Sequence, residues 1–143
     1  MEMLQQLKER YEKYEQDVVQ LERDKTAFDG LFGMGNDPRK DPCHMRFYED
    51  VGQWVGEFLK TAPDSEELYE AAHWLLMAPA RWRETPVFWF MYASQGFCRE
   101  LIPMLAPGEC GRLLALFEQA YPRRDRMPVQ KEVCRSLQKQ AKR

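Results

Sequence analysis

Histidine is scarce in this chain, with only His44 and His73 among 143 residues, and the four cysteines stand far apart. Cys43, Cys98, Cys110 and Cys134 are separated by gaps of 55, 12 and 24 residues. No C-x-x-C pair occurs, so zinc-ribbon and thioredoxin patterns are excluded. Long apolar runs are also missing. The longest, Val87 to Ala93, is seven residues, against the roughly 20 that a membrane-spanning helix needs. The opening MEMLQQLKER lacks the basic region and long apolar stretch of a secretory signal. These absences predict four reduced thiols in a cytoplasmic protein with no membrane partner.

Phosphate-binding loops are absent as well. Gly30-Leu31-Phe32-Gly33-Met34-Gly35 has its glycines in the reverse order of a dinucleotide fingerprint. No strand precedes it, and no lysine-serine pair follows. Those glycines, with Asn36, read instead as helix-ending residues. Glu70 and His73 form one E-x-x-H pair, but a two-metal helical bundle needs two such pairs and further glutamates. No metal site and no cofactor are expected.

What the chain does contain is helical periodicity. Leu4, Leu7, Tyr11, Tyr14, Val18, Leu21 and Phe28 recur at gaps of three and four, broken only at Lys25. Residues 1–29 therefore read as one long heptad-patterned helix, spanning about 42 Å at about 1.5 Å per residue. In a parallel homodimer Arg10 would attract Glu15, but Asp17 would face Glu22 and Asp24 would face Asp29. Packing against the chain's own helices fits better, with antiparallel homo-oligomerisation through residues 4–28 as the alternative.

Residues 30–41 form a Gly/Pro connector, in which Asp41 is placed to cap the next helix and Pro42 to open it. Helices are then expected over 42–60, over 64–78 behind an Asp64/Glu67 capping box, over 86–105, and from Pro107 to Pro122. Pro128 opens a sixth. The segment from Val87 is apolar nearly all round and could pass for a buried strand. No second strand candidate exists to pair with it, so it reads as a central buried helix. The expected fold is all-α: a single compact domain of about six helices over residues 1–143, with a bundle at 42–143.

Charge supplies the functional lead. Residues 1–29 hold eight acids and five bases, residues 30–122 thirteen and eight, and residues 123–143 two and eight. A near-neutral protein thus ends in a basic segment of net +6. Lys131, Arg135, Lys139 and Arg143 recur every four residues, two positions out of step with Val129, Val133 and Leu137. Two positions are about 200° around a helix, so the basic and apolar stripes take opposite faces. Arg123, Arg124 and Arg126 extend the charge upstream. Arg81, Trp82 and Arg83 form a short Arg/Trp cluster of the kind enriched at protein interfaces.

The expectation is a non-enzymatic adaptor or regulator that binds another protein, preferably an acidic surface, through these ten residues. One alternative is nucleic-acid binding through the basic end. A second is a cysteine enzyme centred on Cys43 in the first turn of helix two, where the helix dipole favours a thiolate, with His73 as base. Without such a role, Cys43 reads as a partly buried thiol and His44 as a surface residue.

Overall fold

The computed structural model describes residues 2–32, 40–81 and 87–143, with side chains described over 2–17, 20, 43–79 and 93–143. These residues hold six α-helices and no strand: α1 (Glu2–Phe32), α2 (Lys40–Lys60), α3 (Ser65–Met77), α4 (Val87–Cys98), α5 (Pro107–Ala120) and α6 (Pro128–Ala141). The protein is all-α. It divides into two compact units, Met1–Asp50 and Val51–Arg143, with the boundary inside α2.

Three helix ends differ from expectation. α1 continues through Gly30 to Phe32, because an interior glycine costs only about 1 kcal/mol relative to alanine. Residues 33–39, most of the expected connector, lie outside the described residues. α2 begins at Lys40, so Asp41 and Pro42 sit in its first turn rather than capping and opening it. A proline fits there because first-turn N–H groups have no intrahelical acceptor. α4 ends at Cys98, not near 105. Pro103 is the reason: in a continuous helix it could not donate to Arg99, and its ring would strike that carbonyl. The chain turns and makes a short 3₁₀ segment, Ile102–Met104, yet Leu101, Ile102 and Leu105 stay buried.

In the first unit, α1 and the first half of α2 meet through aromatic rings. Tyr14 stacks on Phe47 with centroids 4.0 Å apart, and Tyr11 meets the same ring edge-on at 4.7 Å. Leu4, Leu7, Tyr11 and Tyr14 are all buried within the chain. The side chains of Val18, Leu21 and Phe28 lie outside the described residues.

In the second unit α6 packs on α5 and α4, and α3 packs on α4 and α5. Trp54 and Phe58 stack with each other, and Leu75, Leu76, Leu113, Phe117, Val133 and Leu137 complete the core. The expected capping box opens α3: Asp64 Oδ1 accepts from Glu67 N–H at 2.9 Å, and Glu67 Oε1 accepts from Asp64 N–H at 3.3 Å. At the start of α5, Glu109 accepts from Ala106 N–H, and at α6 Gln130 accepts from Met127 N–H. The third residue of each helix thus supplies one half of a capping box, and the other half, which the Ala106 and Met127 side chains cannot supply, is left out.

Candidate functional site

α6 presents two faces of opposite character. Val129, Val133 and Leu137 are buried, as are Gln130 and Cys134 beside them. Lys131, Arg135 and Lys139 are exposed on the other side. None of the three has an ion-pair partner among the described residues. The helix contains one acid, Glu132, and its carboxylate is engaged by Arg99. The stripe is left uncompensated as a result. At about 1.5 Å per residue it runs about 12 Å from Lys131 to Lys139.

The far end is anchored: Gln140 Nε2 donates to the carbonyls of Pro103 at 3.2 Å and Leu105 at 3.0 Å. Because α6 closes at Ala141, Arg143 is exposed but stands beyond the helix, so the regular spacing stops at Lys139. Upstream, Arg123 and Arg124 are exposed in a 3₁₀ turn. Arg126 differs. It is half-buried, and its Nε donates to the Tyr121 carbonyl at 2.9 Å. Its guanidinium holds the chain entering α6 as well as adding charge.

Of the Arg/Trp cluster, Trp82 and Arg83 lie outside the described residues. For Arg81 only the backbone is described, at the end of a 3₁₀ turn. Trp74 is half-buried and Trp54 fully buried.

Cys43 is half-buried, as expected, but His44 is not a surface residue: it is 3% exposed. The Tyr14 hydroxyl and His44 Nδ1 lie 2.5 Å apart in a buried hydrogen bond. The side chain one position before it, Cys43, opens into a small cleft of about 80 Å³ within the first unit. The Tyr14 and Phe47 rings line it, and Arg10, Lys13, Asp17, Arg46 and Asp50 stand around it. Burial pushes the Cys43 thiol up, as does Asp17, while Arg46 and Lys13 pull it down. The net direction is upward, opposite to what a resting nucleophile needs. His73, its expected base, belongs to the second unit, where its ring tilts against Tyr69 at 6.1 Å. Arg112 lies over the other ring of that pair, 4.8 Å from the Tyr69 centroid.

The charged surround of Cys43 was missed in the sequence. Its signal was present as two short series, 10/13/17 and 43/46/50, each at helical gaps. Nothing in either series says that they face one another. Among the described residues no group of three metal-ligating side chains comes together, and Glu70 is exposed. No helix among them is long and apolar enough to cross a membrane. Comparison with protein-family models, with curated proteins and with solved structures gives no match.

Proposed function

We propose that this chain is a non-enzymatic helical adaptor of the cytoplasm that docks an acidic protein surface on the outer face of α6. The observation that carries this reading is the uncompensated stripe Lys131, Arg135 and Lys139, exposed on a helix whose opposite face is fixed in the core. The backbone that carries these cations is already ordered, so only their side chains lose freedom on binding, and complementary charge steers encounter and suppresses wrong partners. Arg123, Arg124 and Arg143 widen the field around the stripe. A protein partner is favoured over nucleic acid because the remainder of the chain is net acidic, and a polyanionic backbone approaching broadly would be repelled.

The test is a triple charge reversal, Lys131→Glu, Arg135→Glu and Lys139→Glu, with the partner retrieved from native cells, purified and titrated against both proteins. Exposed charge pairs contribute about 0.2–1 kcal/mol each. Reversing three should therefore weaken binding by about tenfold or more, with the helical circular dichroism unchanged. Unchanged affinity at low salt would leave the stripe a solvated face. A nuclease-sensitive partner would transfer the reading to nucleic acid.

A further inference from the structure

We propose that the α1/α2 cleft of the first unit binds a small disulfide carrying both carboxylate and ammonium groups, and that Cys43 exchanges with it to form a mixed disulfide. This is independent of the α6 reading and uses none of its residues.

The first observation is the cleft's composition. Arg10, Lys13 and Arg46 bring three positive charges to its edges, and Asp17 and Asp50 bring two negative ones. A purely anionic ligand would meet those carboxylates, and a purely cationic one would meet the arginines. A zwitterionic ligand can satisfy both signs, its carboxylates paired with guanidinium groups in the geometry arginine favours. The second observation is size. About 80 Å³ is a few waters' worth at about 30 Å³ each. The cleft is open to solvent, so it takes one sulfur-bearing arm while the charged ends of the ligand lie on the rim. The Tyr14 and Phe47 rings offer an apolar surface to the methylene next to sulfur.

The third observation is which thiol lies there. Cys98 and Cys110 are 0% exposed and Cys134 is 4% exposed, whereas Cys43 is half-buried and lines the cleft. A disulfide reaching the folded protein therefore meets Cys43 before the other three. In the exchange Cys43 gives its proton to solvent, and its thiolate attacks one sulfur of the ligand. The ligand's sulfur–sulfur bond breaks as the new one forms, and the other half leaves as a thiolate that takes up a proton. Cys43 is oxidised, and the departing half is reduced. The ligand also assists the ionisation. Asp17 is one of the influences holding the Cys43 proton on, and an ammonium placed against Asp17 cancels it while Arg46 and Lys13 continue to favour the thiolate.

Oxidised glutathione is the probe, compared with the uncharged 2-hydroxyethyl disulfide on the intact protein, with the modified residue identified by mass spectrometry. The ratio of the two rate constants removes the thiol's own acidity, which affects both reactions alike. We expect this ratio to exceed that of free N-acetylcysteine by about tenfold, a factor equivalent to about 1.4 kcal/mol. We also expect it to collapse to the free-thiol value in the double variant Lys13→Ala, Arg46→Ala, and in the unaltered protein at high salt. The salt arm keeps the test decisive if the double variant loses its helical signal. A ratio equal to that of the free thiol, or modification spread over the buried cysteines, would overturn the proposal.

Discussion

Ser94 and Gln95 are polar residues with 0% exposure in a helix that reads as apolar. Their position is explained by Pro79. In a continuing helix the carbonyl of Leu75 would accept from residue 79, but proline has no N–H. The Ser94 hydroxyl donates to the Leu75 carbonyl instead, and Gln95 Nε2 donates to the Leu76 carbonyl at 2.9 Å. The end of α3 is thus capped from α4, by tertiary contact in place of a local glycine. On its other side, Gln95 Oε1 and the Tyr121 hydroxyl are buried without a partner at normal hydrogen-bond distance. Gln95 is nonetheless the group that draws the Tyr121 phenol back down against burial, which raises it. Replacing Gln95 by leucine should cost about 1–3 kcal/mol, the usual penalty for stranding buried polar groups. Ser94→Ala should cost less when combined with Pro79→Ala, which restores a backbone donor to the Leu75 carbonyl. Urea denaturation of the four proteins gives the coupling. Strictly additive costs would mean that Ser94 is not capping α3.

Glycines within one helix show how elements constrain sequence. Gly52 and Gly56 lie one turn apart in α2. A Cβ on Gly52 would come 2.6 Å from Phe97 Cζ, while one on Gly56 would meet nothing within 4 Å. Gly56→Ala should therefore stabilise the protein by about 0.8–1 kcal/mol, the helix-propensity difference. Gly52→Ala gains the same propensity but must displace the ring, at about 1–3 kcal/mol. Thermal melts should rise for the first variant and fall below it for the second, with Phe97→Leu narrowing the gap. Equal melting temperatures would show that α2 and α4 do not approach as described. This contact was invisible in the sequence, where both glycines look alike. The helices themselves were legible because apolar spacing repeats locally, and the Asp64/Glu67 box was legible because three residues define it. Their ends were less so. Pro42 and Pro103 are the same residue with opposite effects, tolerated in a first turn and disruptive in an interior, and the period alone does not say which applies. The opposed faces of α6 could be read from its own spacing, whereas the charged surround of Cys43 needed two helices placed side by side.

Among the described residues, four thiols and two phenols are held in the protonated form by burial. Burial raises the pKa values of Tyr14, Cys43, Cys98, Cys110, Tyr121 and Cys134 above their ordinary values. Cys98 is fully enclosed, with its thiol directed to the Ala72 carbonyl. The sign of the consequence is fixed by linkage. Between the unfolded thiol value, 9.0, and the higher folded value, the native state keeps a proton that the unfolded chain has lost. Stability from these groups is therefore fully present below about pH 9 and is lost as pH rises through the folded value. Each fully shifted group contributes a slope of up to about 1.4 kcal/mol per pH unit in that window. The two tyrosines join above their ordinary value of 10.0. Denaturant midpoints should hold steady from about pH 7 to about pH 8.5 and then fall steeply by about pH 10.5. Cys98→Ala should lower stability at neutral pH by leaving a cavity, yet flatten the alkaline slope, because the group that carries much of it is gone. The slope and the neutral-pH stability are separate readouts, so packing loss cannot imitate the effect. A midpoint that stays level through about pH 10.5 would mean that these thiols and phenols reach water in the native protein.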